Sequence, residues 1–261
     1  MPDIIPIPAF NDNYIWILHD QQYAVVVDPG DAAPARAYLD AHQLQLAAIL
    51  CTHRHHDHVD GICELAQLYN APVYGPSNEI IPGRTQPVSE GDAVQIAELG
   101  LELTVLDIPG HTRGHIAYLF SLPGKRGVFC GDTLFGCGCG RLFDGTITQL
   151  FRSLQRLASL PDDTLVYCAH EYTEANIRFA LTCEPHNPEL QQRRIDARAL
   201  RATGRPTLPS TIALEKATNP FLRYSVPEIV RKIEIDTGHP LPLNDALAVF
   251  TALREERNHF H

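Results

Sequence analysis

Residues 52–58 read Thr52-His53-Arg54-His55-His56-Asp57-His58, and no other stretch restricts the chain so tightly. Four histidines and one aspartate fall within six consecutive positions. Imidazole and carboxylate are the nitrogen and oxygen donors that zinc, iron and manganese accept. A core has little use for such crowding, because unpaired polar groups are costly to bury. A plain solvated loop does not need the spacing either. In an extended segment His53 and His55 face the same way and can share one ion, whereas the neighbours Asp57 and His58 point apart and suggest a second. A fold that satisfies this heptad must bring further ligands to it.

Four apolar runs supply them. Residues 46–51 end at Thr52, 103–108 lead into Pro109-Gly110-His111, 127–130 into Gly131-Asp132-Thr133, and 165–168 into Ala169-His170-Glu171. Read as buried strands, each delivers a potential ligand at its C-terminal end, the edge where ligands collect in α/β folds. Gly110 and Gly131 allow the sharp turns this requires. His53, His55, His58, His111, His170, Asp57 and Asp132 make seven donors. A catalytic zinc takes about three protein ligands and keeps one position open, so seven donors fit two ions with one shared carboxylate. Asp132 is the natural bridge, having two oxygens where an imidazole usually offers one nitrogen. His56 and His115 are surplus and are expected to orient ligands or pack. His19, His42, His186, His239, His259 and His261 are scattered and read as ordinary residues.

A chain of 261 residues with 44% hydrophobic content can bury a large core without disulfides. Its formal charge of -10 argues against nucleic-acid binding. No leader-like or membrane-spanning run stands out, so the expectation is a cytoplasmic monomer. The seven cysteines show no disulfide framework. Cys51, Cys130 and Cys168 read as small core residues. Cys137 and Cys139 are not needed as ligands, since His and Asp already fill both sites, and neither has an assigned histidine partner as a nucleophile.

The first two thirds alternate strand and helix patterns: strands at 14–18, 23–27, 72–74, 93–96, 101–108 and 115–120, helices at 33–42, 59–69 and 148–159. From about residue 173 the pattern becomes helical only, with helices at 174–181, 189–202 and 244–254. Ser225 and Glu228 suggest a capping box for another, running to about 235. A boundary therefore falls near 173, giving a catalytic region 1–172 and a helical region 173–261.

The heptad resembles the T-H-x-H-x-D-H signature of the metallo-β-lactamase superfamily. Within it, the whole chain resembles the glyoxalase II (hydroxyacylglutathione hydrolase) family of bacterial type. Ile7-Pro8-Ala9-Phe10-Asn11-Asp12-Asn13-Tyr14, Val27-Asp28-Pro29-Gly30, Pro109-Gly110-His111-Thr112 and Gly131-Asp132-Thr133-Leu134-Phe135 carry the likeness. So do Gly138-Cys139-Gly140-Arg141, Ala169-His170-Glu171-Tyr172-Thr173 and Asn219-Pro220-Phe221-Leu222-Arg223, the last being the most specific.

The resemblance implies an αββα sandwich with metals at one edge and a smaller C-terminal α-helical domain that binds substrate. It places His53, His55 and His111 on one metal, Asp57, His58 and His170 on the other, and Asp132 between. It also implies that Arg141, Tyr172 and Arg223 contact glutathione, with Phe143 where many relatives have tyrosine. Residues 224–230 lack a basic residue that some relatives carry. The implied reaction is hydrolysis of S-D-lactoylglutathione to D-lactate and glutathione, the last step of methylglyoxal detoxification. Two divalent ions, zinc first with iron or manganese also suited, about 3.5–4 Å apart, hold a bridging hydroxide. Asp57 and Asp132 are its catalytic carboxylates. The competing reading is a single-iron persulfide dioxygenase, which would leave Asp57, His58 and His170 unused.

Overall fold

Along residues 14–18 every side chain is buried, on both faces of the strand. Tyr14, Trp16 and Leu18 face one apolar cluster, and Ile15 and Ile17 face a second. Such a strand needs a layer on each side. The computed structural model describes residues 2–238 and 245–260 and shows those layers. His239, His261 and the start of the helix expected from 244 lie outside the described residues.

The first sheet begins with β1 (Asp3–Ala9), β2 (Asn13–His19) and β3 (Tyr23–Val27), antiparallel neighbours. After helix α1 (Ala32–Ala41) comes β4 (Gln45–Leu50), parallel to β3. Helices α2 (His56–Val59) and α3 (Ile62–Tyr69) lead to the parallel strands β5 (Val73–Pro76) and β6 (Gln86–Val88). Helices α1 and α3 cover one face through Ala35, Leu39, Ile62 and Leu65.

The second sheet contains β7 (Ala93–Ile96), β8 (Leu101–Asp107), β9 (Ile116–Leu122) and β10 (Lys125–Gly131). A small hairpin, β11 (Leu134–Phe135) and β12 (Gly138–Cys139), and helix α4 (Ile147–Ala158) precede β13 (Leu165–Cys168), which runs parallel to β10. Helix α4 starts at a Thr146/Gln149 capping box and buries Leu150, Leu154 and Leu157 on one stripe. Each such leucine contributes about 1.5–3 kcal/mol. The interior between the sheets, with Trp16, Val25, Leu50, Leu103, Tyr118 and Phe129, forms one cluster. The arrangement is an αββα sandwich.

Helices α5 (Thr173–Cys183), α6 (Pro188–Ala202), α7 (Ile212–Thr218), α8 (Pro227–Thr237) and α9 (Ala246–His259) follow. None of the described helices is long and apolar enough to cross a membrane. Three local expectations change. The region after 173 is not purely helical, because β14 (Ser210–Thr211) pairs with the edge of β13, a strand too short to leave a pattern. Ser225 and Glu228 form no capping box: the N-cap of α8 is Val226, and Pro227 begins the helix. The helix expected at 59–69 is two helices, broken at Asp60-Gly61. The apolar cluster between the sheets continues into the helical region through Phe179, Phe221, Ile229 and Phe250.

Candidate metal centre

Four strand ends build the site. Thr52 and His53 follow β4, His111 follows β8, Asp132 follows β10 and His170 follows β13. At Gly131 the backbone takes φ +47°, and a Cβ there would lie 2.4 Å from Thr52 Oγ1, so only glycine turns the chain this close to the heptad.

The donors fall into two groups. His53, His55, His111 and Asp132 offer atoms within 4.8 Å of one another, and so do Asp57, His58 and His170. Asp132 faces both: Oδ2 lies 3.4 Å from His111 Nε2, while Oδ1 lies 3.5 Å from His58 Nε2 and 3.3 Å from His170 Nε2. Asp57 and His58 do not point apart as an extended segment would require. The chain turns into α2 after His55, and both side chains converge on one point, with Asp57 Oδ2 3.6 Å from His58 Nε2. His56 points to solvent and pairs with Asp60.

The far nitrogens of most of the candidate donor imidazoles have a polar neighbour. His58 Nδ1 is 3.1 Å from Asp28, His170 Nδ1 is 2.8 Å from Asp12, His111 Nδ1 is 2.8 Å from the Arg141 carbonyl, and His53 Nδ1 is 3.1 Å from Thr52 Oγ1. Such contacts fix the ring and its tautomer for metal binding. His115 stacks on His53 at 4.5 Å, and its Nε2 accepts the Asp132 backbone N–H at 3.1 Å.

Charge differs between the groups. Burial, then the neighbouring imidazoles, pushes His53 well down, burial lowers His55 to about 4, and burial also lowers His111, which favours neutral imidazoles in the first group. At His58 burial is outweighed by Asp132 and Asp28, which push it up to about 10. His170 is raised in the same way, burial being overcome by Asp132 and Asp12. Without cations the second group thus relies on protons to balance its carboxylates. Among the described residues, both nitrogens of buried His58 and Asp132 Oδ1 also lack a hydrogen bond of good geometry, His58 Nδ1 meeting Asp28 Oδ2 as a 3.1 Å charge contact. Buried donors that lack a partner, in two neighbouring sets sharing one carboxylate, fit a pair of divalent cations.

Beside the donors lies a cavity of about 510 Å³. Arg141, Phe143 and Tyr172 line it, as do Arg254 and Arg257 of α9. The Tyr172 ring stacks on His170 at 4.8 Å, and Phe143, 66% exposed, sits 4.5 Å from the His55 ring. Arg223 is not brought to this cavity. Its guanidinium grips the buried Glu184 with two bonds of 2.7 and 2.8 Å. Arg254 and Arg257 were not singled out in the sequence, although two arginines three residues apart share a helix face. Among the described residues none of Arg141, Arg254 and Arg257 is paired with a carboxylate. Burial, then Arg254 and Arg141, lowers the Arg257 pKa. Uncompensated cations in a chain of formal charge -10 mark an anion site. Burial pushes the Cys137 thiol up to about 12 and raises that of Cys139, so neither is a ready nucleophile.

Sandwich and donor cluster together define a protein of the metallo-β-lactamase superfamily, and residues 9–170 match the family described as Metallo-beta-lactamase superfamily. Residues 171–260 match the family described as Hydroxyacylglutathione hydrolase C-terminus. The hydroxyacylglutathione hydrolase of Nitrosomonas eutropha is 54% identical over 260 residues, covering 100% of both chains. The chain belongs to the hydroxyacylglutathione hydrolase family. Among solved structures, that of ETHE1 from Myxococcus xanthus is 27% identical, with a TM-score of 0.64 and coverage of 100% of both chains. TTHA1623 in a di-iron-bound form is also 27% identical, with a TM-score of 0.58 and coverage of 84% of this chain and 100% of that one.

Proposed function

We propose that the protein hydrolyses the thioester of S-D-lactoylglutathione, releasing D-lactate and glutathione as the last step of methylglyoxal detoxification. The observation that carries this reading is a His/Asp centre with a shared carboxylate, opening into a cavity with three arginines that lack acid partners. His53, His55 and His111 would hold one divalent cation and Asp57, His58 and His170 the other, with Asp132 serving both. Zinc suits this donor set best, with iron and manganese next. Such ions supply electrophilic polarisation of a carbonyl and a water acidified to a pKa of about 7.

The chain's own residues do the rest. Arg141, Arg254 and Arg257 hold the carboxylates of glutathione, and an arginine fork suits a carboxylate. Tyr172 and Phe143 flank the reacting end; Phe143 brings no hydroxyl to it. Asp57 orients the attacking oxygen. Arg223 is proposed as a structural clamp on Glu184 rather than a substrate contact. The departing thiolate is a good leaving group, so no side chain needs to protonate it.

A dioxygenase using one iron is less well supported, since Asp57, His58 and His170 gather as closely as the first group. A cytoplasmic setting agrees with seven unpaired cysteines. The test is to incubate purified protein with S-D-lactoylglutathione and follow thiol release with and without a chelator. Release that stops on chelation is expected; no release, or release indifferent to chelation, would defeat the proposal.

A further inference from the structure

The turn between β1 and β2 touches only one of the two donor groups. Asp12 Oδ1 lies 2.8 Å from His170 Nδ1. Next to it, Asn13 Nδ2 donates to Asp57 Oδ2 at 2.9 Å. The Asp57 carboxylate sits on a four-residue helix and is 40% exposed, and besides Asn13 the nitrogens near its Oδ2 are those of its own group, His170 Nε2 at 3.4 Å and His58 Nε2 at 3.6 Å. The backbone ties the turn to the same place: Glu171 N–H donates to Asp12 O at 2.8 Å, Tyr14 N–H to Ala169 O at 2.7 Å, and Asn13 bridges to His170. The first group is oriented elsewhere, His53 by Thr52 and His111 by the Arg141 carbonyl. The turn also holds Phe10 at φ +51°, a left-handed conformation that is costly for an aromatic residue. Phe10 is 59% exposed, so burial of its ring does not offset that cost. Two and three residues after it, Asp12 and Asn13 meet His170 and Asp57.

We propose that this turn builds the second cation position, with Asp12 and Asn13 as positioning residues for His170 and Asp57, and that it leaves the first position untouched. The proposal rests on the two-ion reading above. Loss of a group that orients a metal ligand weakens binding about 10–100-fold. The difference here is that only one of two neighbouring ions should respond.

The experiment titrates metal-free wild type, Asp12→Ala and Asn13→Leu with zinc against a competing chromophoric chelator, and measures the melting temperature of each metal-free protein. Wild type should take up two ions. Each variant should bind one ion with wild-type affinity and the other about 10–100-fold more weakly, with the metal-free melting temperature retained. Equal weakening of both ions, or of neither, overturns the proposal. If Asp12→Ala does not fold, Asp12→Asn keeps an acceptor oxygen and should show the same selective loss at smaller amplitude, and equal weakening there counts against the proposal as well. A wild type that binds a single ion would instead sink the two-ion reading, and that outcome is visible in the wild-type arm alone.

Discussion

Arg257→Ala tests how the cavity holds its substrate. The Arg257 guanidinium reaches the Asn176 side-chain oxygen at 3.2 Å, lies 5.9 Å from the Phe179 ring, and faces no carboxylate of the described residues. Its charge is therefore available to a ligand. A hydrogen bond to a charged group contributes about 1.5–3 kcal/mol. At about 1.36 kcal/mol per factor of ten, its loss should lower kcat/KM roughly 10- to 150-fold. A carboxylate of glutathione lies far from the thioester and is held alike before and during reaction, so the change should appear in KM with kcat nearly constant. Steady-state kinetics of thiol release measures both. Arg223→Ala supplies the contrast: it strands Glu184, 3% exposed, and should lower the melting temperature while leaving KM alone. An unchanged KM in Arg257→Ala, or a raised KM in Arg223→Ala at temperatures where it stays folded, would refute the assignment.

Asp132→Ala removes the one carboxylate common to both donor groups; elemental analysis should find the metal content reduced and thiol release abolished, and an active, fully loaded variant would count against the shared role. Arg193→Ala leaves Glu215, 0% exposed, without its 2.5 Å partner. The cost of about 3–5 kcal/mol, at roughly 2–4 °C per kcal/mol in a chain of this size, should lower the melting temperature by roughly 6–20 °C in calorimetry. The carboxyl of Glu90 is lowered chiefly by hydrogen bonding to Arg156. A depressed folded pKa stabilises above the unfolded value of about 4.3 and loses that effect as pH falls through the folded value. The melting-temperature gap between wild type and Glu90→Gln should therefore be present at neutral pH and close in acid; a gap that widens in acid would reverse the sign.

The candidate metal donors were legible as a set because their chemistry is local to strand ends: an apolar run followed by glycine and a histidine or aspartate describes both the element and the donor it presents. The orientation of Asp57 and His58 was not, because four residues of helix leave no periodicity, and a change from extended to helical backbone redirects both side chains. Arg254 and Arg257 escaped notice for another reason. They lie more than a hundred residues from Arg141, in a helix whose pattern is ordinary, and only packing brings them to the cavity. Arg223 carried the opposite signal. Its neighbour Asn219 explains why that segment is so specific: the Asn219 amide donates to the Phe135 and Gly138 carbonyls, which is work for the loop and not for a ligand. Asp12 and Asn13 are commonplace turn residues, and their reach to His170 and Asp57 follows from a sheet closing over the site.

That loop has a bearing on how the chain can be divided. Asn176 of α5 donates to the Gly136 carbonyl, Glu215 of α7 accepts the Cys137 N–H, and Arg254 of α9 donates to the Cys139 carbonyl. A truncated form ending before α5 would keep every candidate metal donor yet lose all of these braces at once. The stretch leading to Arg141 would then be free to wander, so grafting the sandwich alone onto another scaffold should yield a metal binder with poor grip on its thioester.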